Sequence, residues 1–105
     1  MIYPVEIFLR ERNDFWVKDL GKDLAQSFGE NLGRARAKAE LSQEELSDLS
    51  TIHRTQIGQL ENGLRQPRLD TIVKLAGALG IDPCQLITGI RWVPPSIEGG
   101  EFKRT

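Results

Sequence analysis

The sequence predicts an all-α domain of five helices, flanked by an N-terminal helical arm and an extended C-terminal tail. Three observations lead there. Apolar residues in the middle of the chain recur at helical spacing, as in Leu24, Phe28 and Leu32, and nothing in that stretch alternates as a strand would. Three hexads, LSQEEL at 41–46, IHRTQI at 52–57 and IDPCQL at 81–86, place an apolar residue before a potential N-cap, a Glu or Gln three positions after that cap, and a second apolar residue next. That is a hydrophobic staple combined with a capping box, and it marks three helix starts. Finally, Gly63, Gly80 and Gly89 stand where apolar stripes end, as helix-stopping glycines do.

The elements follow in order. Residues 1–22 form an arm in which Val5, Phe8, Leu9, Phe15, Trp16 and Leu20 are spaced as a helix face, with Pro4 favouring an extended start and Asn13 a break. The domain proper covers residues 23–89. Helix one runs from Asp23 to Glu40, its face continued by Ala35 and Ala39. Helix two, Gln43 to about Leu49, begins at Ser42, which pairs with Glu45 as a cap. Helix three, Arg54 to about Asn62, starts at the weaker cap His53; LRQPR at 64–68 is loop. Helix four, Leu69 to Leu79, carries Ile72, Leu75, Ala76 and Leu79 on one stripe. Helix five, Pro83 to Thr88, has Asp82 as cap and Pro83 at the first position, where a missing N–H costs nothing. In the tail, residues 90–105, Pro94 and Pro95 exclude helix, and Ile90 to Val93 suits a short edge strand.

Composition bounds what such a domain does. A chain of 105 residues, 39% hydrophobic and 28% charged, has room for one core. No apolar run reaches membrane-spanning length, and the first twelve residues carry Glu6 and Glu11 and lack a signal peptide's basic start. A cytoplasmic protein, without membrane association, is the expectation. One cysteine, Cys84, excludes an internal disulfide, and neither it nor the single histidine, His53, has partners at ligand spacing, so no metal or other cofactor is expected. The absence of a glycine-rich phosphate loop, a nucleophile elbow or a supported carboxylate pair leaves an enzyme reading without footing. The net charge of −1 argues against a generally basic surface. Locally the balance differs: between Ser50 and Leu69, Arg54, Arg65 and Arg68 face only Glu61.

The informative stretch is TIHRTQIGQLENG, residues 51–63. Ile52, Ile57 and Leu60 supply one apolar face, yet the opposite face opens with Arg54 and Thr55 and continues to Gln59. On an isolated helix such residues are solvated. Here a second short helix precedes them across a tight turn, which meets the demands of a helix-turn-helix, whose second helix presents its N-terminal side chains to base edges in the major groove.

The run LSQEELSDLSTIHRTQIGQLENG, with PRLDTIVKLAGALGID after it, resembles the DNA-binding domain of the lambda-type phage repressor and Cro family, also called the XRE family, over about two-thirds of the chain. That resemblance implies a five-helix domain that binds double-stranded operator DNA, usually as a two-fold homodimer, in the company of the nucleoid. It places Arg54, Thr55 and Gln59 against bases: Arg suits guanine O6 and N7, Thr a thymine methyl or a hydroxyl contact, Gln adenine N6 and N7. It places Gln43, Asn62, Arg65 and Arg68 at phosphates, where contacts orient without reading sequence. His53 serves as a cap or a phosphate contact. The resemblance also pairs Arg36 with Glu61 as an ion pair between helices one and three.

Some positions depart from the family pattern. Thr51 stands where glycine is common, so it must make the turn without glycine freedom, and His53 stands in place of Ser or Thr. Gln56 can compensate by folding back to the His53 backbone N–H. Gly58 in mid-helix costs about 1 kcal/mol relative to Ala, which a close approach to the groove floor explains. Cys84 near a helix start invites a redox reading, but a half-buried inert thiol is favoured, and Trp16 and Trp92 are read as packing residues. The rival reading from another class is a protein-interaction module: an antitoxin whose arms clamp a toxin, or a coactivator that bridges to the transcription machinery.

Overall fold

The computed structural model describes residues 13–95 and 100–104, with side chains over 24–95 and 100–103. Its elements are α1 (Asn13–Lys38), α2 (Gln43–Ser50), α3 (Arg54–Glu61), α4 (Leu69–Leu79), a single 3-10 turn (Pro83–Leu86), and strands β1 (Ile90–Val93) and β2 (Glu101–Arg104). The expected arm up to residue 12 and the packing role of Trp16 lie outside the described residues.

Helix α1 starts ten residues before the sequence boundary at Asp23. No proline interrupts 13–38, and Gly21, the one glycine between residues 13 and 23, costs too little to stop a helix already propagating. The sequence places its end at Glu40, but the helix stops at Lys38, because Glu40 turns left-handed (φ 59°). The N–H of Leu41 then reaches the Arg36 carbonyl at 3.2 Å, and that of Glu40 reaches Ala37 at 3.0 Å. Helix α3 ends the same way with a better residue for the purpose: Gly63 (φ 72°) lets the Leu64 N–H bond the Gln59 carbonyl at 2.9 Å.

The core gathers one stripe from each helix. Phe28 and Leu32 of α1, Leu46 of α2, Ile52 of the turn, Ile57 and Leu60 of α3, Leu75, Ala76 and Leu79 of α4, and Leu86 of the 3-10 turn pack as one cluster. Ile72 lies half-buried against it. Full burial of each large side chain contributes about 1.5–3 kcal/mol, so this cluster holds the helices in place.

Two further expectations fail. The fifth helix is not α-helical: among the described residues there are four α-helices, and Pro83–Leu86 makes one 3-10 turn. The segment between Asp82 and Gly89 is too short to support an α-helical nucleus, and its carbonyls are taken by other donors. Thr88 Oγ1 and the Ile87 N–H donate to the Cys84 carbonyl at 3.0 and 3.2 Å, while Asn31 Nδ2 of α1 donates to the carbonyls of Leu86 and Thr88, both at 3.0 Å. Nor is the fold all-α with a merely extended tail. The strand expected at Ile90 to Val93 forms, but it pairs antiparallel with β2, Trp92 opposite Phe102, in a small two-stranded sheet. Those two rings meet edge-on with centroids 5.2 Å apart, and buried Gly100 packs beneath Trp92, where a Cβ would come within 2.2 Å of the indole. Among the described residues no helix is long and apolar enough to cross a membrane.

One contact decides where α3 sits. A Cβ on Gly29 of α1 would lie 2.3 Å from the Leu60 carbonyl oxygen and 2.8 Å from that of Glu61, closer than any side chain tolerates. Glycine therefore lets the last turn of α3 rest on α1 backbone to backbone. Gly29→Ala is expected to lower the unfolding free energy by about 2–3 kcal/mol, the upper range for overpacking against an unyielding neighbour. Denaturant titration checks this; an unchanged midpoint would mean that the two helices separate without cost.

Candidate nucleic-acid interface

The candidate interface is built on the α2–α3 turn. Ser42 and Glu45 close a complete capping box, Ser42 Oγ accepting from the Glu45 N–H at 3.0 Å and Glu45 Oε1 accepting from the Ser42 N–H at 2.8 Å. Helix α2 thus starts at a defined residue. It stops at Thr51, which adopts the left-handed conformation (φ 64°) that its β-branched side chain resists, at a cost of about 1–2 kcal/mol. The buried Ser50 hydroxyl accepts from the Ile52 N–H at 3.1 Å and helps to hold the bend.

Helix α3 opens at His53, whose Nδ1 accepts from the Thr55 N–H at 3.0 Å. That bond requires Nδ1 to be unprotonated and leaves the Nε2 side of the exposed ring turned away from the cap. His53 therefore caps α3 unaided. The Gln56 fold-back is not found: no hydrogen bond joins its half-buried side chain to the His53 N–H among the described residues. With Ile57 and Leu60 fully buried, rotation of α3 about its axis is fixed. Arg54 and Thr55 come out on the exposed side, their side chains without ion pair or hydrogen bond to the described residues. Gln59 follows, half-buried, with its Oε1 accepting from Arg65 at 3.1 Å.

The remaining candidates divide. Gln43 lies at the start of α2 against α3, but its side chain turns inward, Nε2 donating to Glu61 Oε1 at 3.0 Å, while its amide passes 3.9 Å from where a Gly58 Cβ would be. Arg36 and Glu61 form a two-pronged pair, Nε to Oε2 at 2.6 Å and Nη2 to Oε1 at 3.0 Å, and Arg36 also donates to the Leu41 carbonyl at 2.9 Å. The Glu61 hydrogen bond raises the Arg36 pKa above its already high value. Asn62 is exposed and ends α3, its backbone N–H bonding Gly58. Arg68, well exposed, lies 3.4 Å from Asp70 in a surface pair that constrains it little. Cys84 is exposed rather than half-buried, and the hydrogen bond with Asp82 raises its pKa, the opposite of what a reactive thiol needs.

Three functional supports are absent from the sequence reading. Gly29 sets the seat of α3, Asn31 ties the 3-10 turn to α1, and the Gln43–Glu61 bond ties α2 to α3. Only Gly29 left a signal, a glycine one residue from Phe28 inside a strong helical stripe.

Residues 32–86, which include α2, the turn and α3, match the helix-turn-helix family HTH_3. The chain belongs to that family. It is 39% identical over 61 residues to the control protein C.BamHI of Bacillus amyloliquefaciens, covering 57% of this chain and 75% of that one. It is 38% identical over 66 residues to the control protein C.SmaI of Serratia marcescens, covering 63% and 79%. Among solved structures, the restriction-modification controller protein C.AhdI from Aeromonas hydrophila is similar with a TM-score of 0.58 and 42% identity, covering 59% of this chain and 94% of that one. Its relatives are thus controller proteins and helix-turn-helix transcriptional regulators. The XRE-type resemblance read from LSQEELSDLSTIHRTQIGQLENG is the right family.

Removing Glu61 strands two donors, Arg36 and Gln43, in a half-buried place. Glu61→Ala is expected to cost about 2–4 kcal/mol, whereas replacing Arg36 and Glu61 together by Met and Leu recovers part of that loss, since no unpaired charge remains although Gln43 and the Leu41 carbonyl still lose a partner. Thermal unfolding of the single and double variants separates the two; equal destabilisation would show that packing, not pairing, matters here.

Proposed function

We propose that this protein is a sequence-specific DNA-binding transcriptional regulator that acts as a homodimer on a pseudo-palindromic operator, with α3 in the major groove. One observation carries the reading: Arg54 and Thr55 stand free at the first turn of a helix whose rotation is fixed by the burial of Ile57 and Leu60. Side chains presented in this way meet base edges when the helix N-terminus enters the groove. The exposed His53, Asn62 and Arg68, with the start of α2, flank that helix as phosphate contacts. A single eight-residue reading helix covers few base pairs, so two copies on half-sites about one helical turn apart supply the specificity. Similarity to the control proteins favours restriction and modification genes as the regulated set, ahead of an antitoxin or coactivator role.

Gly58 supports the same reading from another direction. A Cβ there would meet nothing nearer than the Gln43 amide at 3.9 Å, so packing within the molecule does not require glycine. A close approach by DNA does. Gly58→Ala is therefore expected to stabilise the fold by about 1 kcal/mol while weakening operator binding; unfolding curves and fluorescence anisotropy on the same preparation read both. Arg54→Ala with Thr55→Ala is expected to reduce operator affinity by roughly 100-fold or more, given about 1–3 kcal/mol of discrimination per good base contact, and to leave the melting temperature nearly unchanged. Binding selected from random DNA and measured at stated salt tests this, and undiminished selectivity in the double variant would refute the reading.

A further inference from the structure

Arg65 lies beyond the end of α3, yet the chain returns it to the reading face. Gly63 in the left-handed conformation reverses the backbone so that the Leu64 N–H bonds the Gln59 carbonyl at 2.9 Å, and the next residue's guanidinium then reaches the Gln59 side chain, Arg65 Nη1 to Oε1 at 3.1 Å. Backbone and side chain of the turn close on the same glutamine. Both partners are exposed or half-exposed, so the contact sits where a duplex would arrive.

The chemistry of the pair has one orientation. A guanidinium has donors only, so the end of the amide facing Arg65 must be the carbonyl, and the amide NH2 is the end left for another partner. A free glutamine reads adenine by accepting from N6 and donating to N7, which needs its carbonyl as well as its amino group. With one of the carbonyl's two lone pairs taken and a positive charge beside it, the incoming amino group of adenine or cytosine meets a competing donor at the other. Guanine instead presents acceptors at both O6 and N7.

We propose that Arg65 is a positioning residue for sequence reading: it locks the Gln59 amide as a donor, so that the base pair met by Gln59 is selected as guanine rather than adenine. This rests on the DNA-reading assignment of α3 and departs from a phosphate role for Arg65. The two roles separate in experiment. Loss of a phosphate contact weakens all sequences alike and lowers the salt dependence of binding by about one charge, whereas loss of a positioning contact changes the preference at one position.

The test is selection from a random duplex library, followed by affinities for operators carrying each base pair at every position, with the full chain and with Arg65→Ala, Arg65→Lys and Gln59→Ala. The position at which Gln59→Ala alone loses discrimination identifies the base pair that Gln59 meets. There the unaltered protein is expected to prefer guanine over adenine about tenfold or more, in line with one good base contact. Arg65→Ala is expected to bring that ratio close to one while preferences elsewhere persist, and Arg65→Lys to keep the salt dependence without restoring the ratio. Arg65→Ala with an unchanged base profile and uniformly weaker binding overturns the proposal, as does a preference for adenine in the unaltered protein. If the unaltered protein enriches no sequence, the DNA-reading assignment falls, and the role of Arg65 with it.

Discussion

Glu61 collects three donors at the end of α3: the Nε and Nη2 of Arg36 from α1 and the Nε2 of Gln43 from α2. Arg36 in turn grips the Leu41 carbonyl in the connection between those helices. One carboxylate thus joins three helices. Partial burial makes the arrangement demanding, because each member removed leaves another unsatisfied, and a pair of this kind contributes geometric definition more than net stability. Gly29 makes room for it by letting the last turn of α3 lie on the α1 backbone. The angle at which α3 leaves the body of the domain is set at its C-terminal end, although the residues proposed to read DNA lie at its N-terminal end.

That division runs along the whole helix. Its inner face is apolar and closed, and its C-terminus is stopped by Gly63 and anchored by Glu61. The outer face keeps features that stability alone disfavours: glycine at 58 with no packing need for it, a left-handed Thr51 before it, and a histidine where a hydroxyl would cap better. Departures from local preference that nothing inside the molecule requires are expected where a surface meets a partner. The Arg65–Gln59 contact belongs with these: a hydrogen bond between solvent-accessible side chains adds little to folding, and its proposed role is the orientation it gives the amide.

The C-terminal hairpin shows the opposite dependence. Nothing in EFKR announces a strand, and its pairing with IRWV rests on Trp92 meeting Phe102 over Gly100, three residues that are unremarkable one by one. The 3-10 turn before it is similar, held at the Leu86 carbonyl by Asn31, 55 positions away in sequence. The fifth helix and the extended tail therefore gave way where contacts from outside each segment overrule its local preference.

By itself the sequence determined what short-range physics controls. Ser42 with Glu45, the stripe of Leu75, Ala76 and Leu79, and Gly63 and Gly80 as stops placed the starts and ends of α2 to α4 to within a residue or so, because caps and helical periodicity act over only a few positions. The family was legible for the same reason, its signature being a run of such local signals. Only the tertiary structure decided which polar side chains remain available. Gln43 is drawn inward to Glu61, the Gln59 carbonyl is met by Arg65, and Arg54 and Thr55 are left free. A side chain's partner depends on where the backbone brings other donors and acceptors, and that is settled only when the helices pack.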